Sequence, residues 1–298
     1  MLTEERSPRT ATIDRLSTLA LLEVMNDEDA SVPGAVRRAL PAIAQAVDAI
    51  VEHLRQGGRL LYVGAGTSGR LGVLDAVECV PTFNTDPETV QGIIAGGPLA
   101  LTHAAEGAED DRAAGYAEMV ARNVSGRDVV VGIAASGRTP YVIGALEAAN
   151  AAGAATVAIS CNEPAPMLDM AGIPIAVLVG PEILSGSTRL KAGTAQKLIL
   201  NMLSTATMIR LGKVYQNLMV DMRATNQKLM QRARRIVAEI AGVSGEEAGE
   251  LLTHAGGEIK TAIVMALLGV SPDDARAQID AAGGVLRTVI GDRDPPRG

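Results

Sequence analysis

The chain has 298 residues, 47% of them hydrophobic, which is enough for one large core and an appended module. Aromatics are only 2% and tryptophan is absent, so the core must be built mainly from Ala, Val, Ile, Leu and Met, and stacking platforms for single-stranded nucleic acid are scarce. A net charge of -7 without a basic block argues against nucleic-acid binding, and no apolar run approaches the roughly 20 residues of a membrane span.

In chain order, the opening MLTEERSPRT is polar and mixed in charge, unlike a secretory signal, and a cytoplasmic protein is expected. A short amphipathic helix is predicted around Ile13 to Met25, with a polar break at Asn26 to Ala30. A longer helix follows, with apolar positions Ala35, Leu40, Ile43, Val47, Ile50, Val51 and Leu54, stopped by Gly57-Gly58. From Arg59 the pattern alternates. Strands are predicted at Leu60 to Val63, Val90 to Ile94, Val129 to Ile133, Thr156 to Ser160 and Ile173 to Val179. Helices fit between and after them at Leu71 to Cys79, Asp111 to Asn123, Pro140 to Ala152 and Thr188 to Leu211. This alternation predicts an α/β fold with a doubly wound parallel sheet flanked by helices and ligands at the carboxyl ends of the strands.

After Gly212 a long polar helix is predicted from Met219 to Ile240, then a small three-helix C-terminal module. Ser244 with Glu247 reads as a capping box, and Ser271-Pro272 with Asp274 as another helix start. The expected organisation is an N-terminal helical arm over 1–53, a ligand-binding domain over 54–217, and a helical linker with its module over 218–298. Cys79 and Cys161 lack metal-site spacing and are expected to be reduced packing residues, and the three histidines show no HxxxH or HExxH pattern.

Two apolar runs break into loops of one grammar: LLYVGAGTSGR over 60–70 and VVVGIAASGRTP over 129–140. A strand ending in such a loop and entering a helix offers N–H groups, hydroxyls and a positive helix end, which together hold a phosphate. Either loop alone could be an ordinary tight turn; two in equivalent contexts point to a phosphorylated ligand. The first lacks the GK[ST] ending of a nucleotide-binding P-loop, and no acidic residue follows a second strand to hold a ribose, so a sugar phosphate is favoured over a nucleotide. Carboxylates come next. Asp75 and Glu78 lie in GVLDAVECVPT, Glu106 and Glu109 in EGAEDD. Glu78 is expected near a helix end before Pro81, where the helix dipole favours the protonated form that a general acid needs; a solvent-facing residue is the plainer reading. Glu106 and Glu109 could equally begin a solvated helix. The segment PEILSGSTRLKAGTAQK over 181–197 puts Ser185, Ser187 and Thr188 ahead of a helix striped by Leu198, Met202, Ala206 and Ile209. Lys191 and Lys197 near its start oppose the helix dipole, so a ligand or partner carboxylate is expected nearby.

Together GAGTSGRLGVLDAVECVPT, EGAEDD, AASGRTPYV and GSTRLKAGTAQK resemble the N-acetylmuramic acid 6-phosphate etherases, a family carrying a sugar isomerase (SIS) domain and related to glucokinase regulatory proteins. The likeness runs nearly the whole length, from TEERSPRTATIDRLST to IKTAIVMALLGVS. It implies a lyase without cofactor or metal that splits the ether between carbon 3 of the amino sugar and D-lactate. It implies that Glu78 and Glu109 are catalytic and that Thr67, Ser68, Ser136, Gly137 and Thr139 hold the sugar phosphate, and Ser185 and Lys191 are expected to bind it with them. It further implies a homodimer with active sites near the subunit interface, the helix over 188–211 being compatible with burial there. Three other readings compete: a sugar-phosphate sensor that needs no glutamate pair, an aldose–ketose isomerase using the same acidified carbon 2 proton, and a sugar-responsive transcription factor, for which no basic helix-turn-helix is evident.

Overall fold

The computed structural model describes residues 1–222, 224 and 226–292, which form two compact units: Met1–Val77 with Pro87–Thr207, and Glu78–Asp86 with the described part of Met208–Gly298. Among the described residues no single helix is long and apolar enough to cross a membrane.

The first unit is built on five parallel strands: β1 (Leu60–Gly64), β2 (Val90–Ile94), β3 (Val129–Ile133), β4 (Ala155–Ser160) and β5 (Ile173–Ala176), in the order β2-β1-β3-β4-β5. The strands β1 and β3 are buried throughout, which is why their sequences run apolar without alternation. The fifth strand ends three residues before the expected Val179, and Val177 adds one further bond by donating its N–H to the Ser160 carbonyl. Helices α1 (Thr18–Asp29), α2 (Val32–Arg55), α3 (Gly66–Phe83), α4 (Arg112–Ala121), α5 (Pro140–Ala151), α6 (Pro166–Met170) and α7 (Lys191–Arg210) accompany the sheet. In the core, Met119 of α4 and Val142, Ala145, Leu146 and Ala149 of α5 pack with Val63, Val130 and Ala158 of the sheet. At the amino ends of the central strands, Arg59 holds Asp128 through Nε to Oδ1 and Nη2 to Oδ2, at 3.0 and 2.9 Å. Burial pushes the Asp128 carboxyl up, but the Arg59 hydrogen bonds and charge outweigh it and hold the group below its ordinary value.

Two expected boundaries move, one through a distant partner and one through a local glycine contact. The predicted polar break at 26–30 is helical through Asp29, because the Glu28 carboxylate is drawn into the interior by Lys191, with Nζ to Oε2 at 2.8 Å. Helix α3 begins at Gly66 rather than Leu71, since Gly64 and Gly69 approach so closely that a Cβ on Gly69 would stand 2.8 Å from the Gly64 carbonyl oxygen. The glycine loop is therefore largely the first turn of the helix itself.

In the second unit, α8 (Gln227–Ala241), α9 (Gly245–His254), α10 (Ile259–Leu268), α11 (Pro272–Ala281) and the short α12 (Leu286–Ile290) surround Ile236, Val237, Ile263, Val264 and Leu286. The long helix starts eight residues later than Met219, at the Asn226 cap whose side chain accepts from the Leu229 N–H. Ser244 accepts from Glu247 N–H and Ser271 from Asp274 N–H, as the local signals predict. Among the described residues four helices follow α8 where three are expected, because the last apolar stretch adds a turn that places Leu286 fully inside. The tail core also recruits Tyr215, Val220 and Met222 from the segment before α8.

Candidate active site

The two Gly/Ser/Thr loops leave the carboxyl ends of β1 and β3, which are direct neighbours, with Gly64 paired to Ile133. The chain turns one way from β1 to reach β2 and the other way to continue through β3, so this is the topological switch point of the sheet, where a crevice opens between strand ends. Sheet order alone thus brings the loops together.

At the first loop, the Gly69 N–H donates to the Ala65 carbonyl at 3.2 Å, so the N–H groups of Gly66, Thr67 and Ser68 form the first turn of α3, without an intrahelical partner among the described residues. Such a turn attracts an anion. Ser68 is buried and donates from Oγ to Oε1 of Gln196 on α7 at 2.9 Å. At the second loop, Thr139 caps α5 without spending its hydroxyl on a capping bond, and Pro140 follows at the first helical position. The Ser136 hydroxyl oxygen accepts from the Arg138 N–H at 3.2 Å. Gly137 takes φ +66°, and a Cβ there would lie 2.5 Å from both Ser160 Oγ and Ala165 Cβ. A glycine is demanded by conformation and by space. Gly137→Ala is expected to cost about 2–3 kcal/mol, against about 1 kcal/mol for Gly57→Ala, which has φ +76° but open surroundings. Urea unfolding of both variants checks this, and equal costs would refute the steric argument.

A cleft of about 210 Å³ opens beside the first loop, lined by Gly66, Arg70, Ala100, Glu106 and Glu109 among others. Arg70 shapes its wall by donating from Nε to the Leu101 carbonyl and from Nη2 to the His103 carbonyl, both at 3.1 Å. Glu109 sits exposed on the one-turn helix Ala108–Asp110, after Gly107 at φ +78°. His103 bonds Thr102 Oγ1 through Nδ1, at 2.9 Å.

Other expected residues have different duties. Asp75 is buried and accepts from Asn201 Nδ2 and Ser204 Oγ, tying α3 to α7. Ser185 donates to the carbonyls of Glu4 and Glu5, which anchors the N-terminal segment. Lys191, expected beside the phosphate, is 3% exposed and its ammonium is engaged by Glu28, which also pairs with Arg9. The carboxylate expected at the start of α7 comes from the same chain: Glu182, fully buried, accepts from the backbone N–H groups of Lys191 and Ala192 at 2.9 Å each. Glu78 lies on α3, which runs on to Phe83 despite Pro81, so it is not at a helix end. It is exposed, and the helix-dipole argument for it does not apply. Burial, with a contribution from Glu182, pushes the Cys161 thiol up to about 12, in keeping with an inert packing residue.

Sequence reasoning missed Arg70, Gln196, Glu182 and Glu28 as parts of this region. For Arg70 the signal was its position directly after the glycine loop; for the others no local signal exists.

A parallel sheet with glycine- and hydroxyl-rich turns at its switch point is the frame of a ligand-binding α/β domain, and sequence similarity places this one among the sugar isomerase (SIS) domains. Residues 108–206 match the SIS domain family, residues 42–150 the glucokinase regulatory protein N-terminal SIS domain, and residues 216–260 the C-terminal lid domain of glucokinase regulatory protein. The fold is shared with a phosphoheptose isomerase from Francisella tularensis, at a TM-score of 0.51 and 19% identity, covering 65% of this chain and 100% of that one. Among curated relatives, the N-acetylmuramic acid 6-phosphate etherases of Yersinia pestis (strain Pestoides F) and Yersinia pseudotuberculosis serotype O:1b (strain IP 31758) are each 58% identical over 90% of this chain and 90% of their own. The chain belongs to the N-acetylmuramic acid 6-phosphate etherase family.

Proposed function

We infer that this protein is a carbon–oxygen lyase that converts N-acetylmuramic acid 6-phosphate to N-acetylglucosamine 6-phosphate and D-lactate. The observation that carries this reading is the 58% identity to curated etherases over nine-tenths of the chain. The supporting geometry is the pair of phosphate-type loops at the switch point, beside a cleft lined by Glu109.

The chemistry follows from the substrate. In the open-chain aldehyde, the carbonyl at carbon 1 acidifies the proton on carbon 2. A base removes that proton, the electron pair forms a double bond between carbons 2 and 3, and the bond from carbon 3 to the lactyl oxygen breaks. An acid protonates the departing lactyl oxygen, which becomes the hydroxyl of D-lactate. Water then adds to carbon 3 of the unsaturated aldehyde while a proton returns to carbon 2. Two carboxyl groups in opposite protonation states complete this cycle. We assign them to Glu109 and, by resemblance to the family, Glu78. The phosphate is held by Ser68, Ser136, Gly137 and Thr139 with Thr67, supported by the free first-turn N–H groups of α3. Ser185 and Lys191 act at one remove, through the segments they anchor.

The protein is expected to act in the cytoplasm as a homodimer, consuming cell-wall amino sugar. Exposed apolar side chains suit a subunit contact: Leu19 and Leu22 on α1 are 68% and 54% exposed, and the Leu198, Met202, Ala206 and Ile209 stripe of α7 is only partly covered. The inward face of α7 is a different one, Ile199, Leu200 and Leu203.

The test is to incubate the protein with N-acetylmuramic acid 6-phosphate in water labelled with heavy oxygen. D-lactate release with one label in the sugar product is expected, and Glu78→Gln should suppress both. Saturable binding of the sugar phosphate without lactate would overturn the lyase reading and favour a sensor.

A further inference from the structure

The contact between Ser68 and Gln196 contains an unmet demand. Gln196 is 1% exposed, its Oε1 accepts the Ser68 hydroxyl proton at 2.9 Å, and its Nε2 has no partner among the described residues. A buried amide N–H pair without an acceptor is unfavourable, and the Ser68 hydroxyl, having given its only proton to the amide, turns lone pairs alone toward an incoming anion. One motion gives the amide nitrogen an acceptor and releases the hydroxyl, at the cost of the hydrogen bond that Oε1 accepts. Rotating the amide half a turn lets Nε2 donate to Ser68 Oγ and frees the hydroxyl proton for a phosphate oxygen. Helix α7 backs the loop closely enough for this relay, since a Cβ on Gly193 would lie 3.5 Å from Thr67 Cγ2.

We propose that Gln196 is a positioning residue that switches the Ser68 hydroxyl between donating into α7 in the empty site and donating to the sugar phosphate in the filled one. The proposal rests on the reading of Ser68 as a phosphate ligand. It gives Gln196 no contact with the reacting atoms, so the residue governs affinity rather than the chemical step.

The experiment measures the dissociation constant of N-acetylglucosamine 6-phosphate by calorimetry for the full chain and its variants, with lactate release recorded in parallel. Gln196→Glu supplies an acceptor that cannot donate when ionised. It should weaken binding roughly tenfold or more, while Gln196→Met, which neither holds nor directs the proton, should weaken it by about threefold at most. In a Ser68→Ala background the difference between the two should vanish. As pH falls through the carboxylate range, the Gln196→Glu variant should regain affinity relative to the parent at the same pH, because a protonated carboxyl can donate. Equal weakening by both substitutions, or a difference that persists without the Ser68 hydroxyl, overturns the proposal. Should Gln196→Glu not fold, Gln196→Met combined with Ser68→Ala still decides: additive losses in affinity refute the relay. A parent protein that binds the sugar phosphate but releases no lactate would fail the lyase reading and leave this test intact.

Discussion

Replacing Glu109 by glutamine is expected to lower kcat for lactate release by about 10²–10⁴, the usual contribution of a positioned general acid or base. The substitution keeps shape and hydrogen-bonding capacity but removes the transferable proton. Glu109 makes no ion pair among the described residues, and it sits exposed on a short turn at the cleft wall, so folding should be untouched. KM should change little, because in the proposed reading the loops hold the phosphate and the carboxylate acts on the sugar carbons. Steady-state kinetics with a melting curve in parallel decides the matter. A variant retaining more than about a tenth of parental kcat would remove Glu109 from the proton-transfer pair.

Lys191→Met should destabilise the first unit by about 3 kcal/mol, because it strands a buried carboxylate. The Glu28 side chain is 9% exposed, and its other cation, Arg9, is 71% exposed and solvated. Chemical denaturation should register the loss, and pairing the change with Glu28→Leu should recover most of it, since a buried ion pair replaced by apolar groups of similar volume is often neutral. This separates the interior role of Lys191 from the phosphate-binding role its neighbourhood in the sequence suggests. A lysine that served the phosphate would raise KM when removed and leave stability unchanged; the double variant would then be no better than the single.

The contrast between these residues explains what could be read in advance. Glu109 was singled out by resemblance, its motif alone reading equally as a solvated helix start, and the structure sets it in the wall of a cleft. A carboxylate near Lys191 was expected, but which one could not be read in advance, because Glu28 stands 163 residues away in the chain and nothing local announces such a pair. The same holds for Glu182, whose carboxylate occupies the helix start that the lysines made to look vacant. Glu78 shows the opposite failure. A local rule about helix ends and Pro81 suggested a role for it, yet α3 continues through Pro81, and the assignment stands on resemblance alone.

What the sequence determined by itself was whatever local chemistry enforces: five mainly apolar runs as strands, glycine and hydroxyl turns at the carboxyl ends of β1 and β3, and serine-capped helices in the tail. These follow from side-chain periodicity, glycine's access to positive φ, and hydroxyls satisfying first-turn N–H groups, all acting within a few residues. What only the tertiary structure decided was which pieces meet. The neighbouring of β1 and β3, the burial of Glu28 against Lys191, and the seating of Gln196 behind Ser68 join residues 69 to 163 positions apart. Such pairings are selected by the packing of the whole core, which no window of sequence contains.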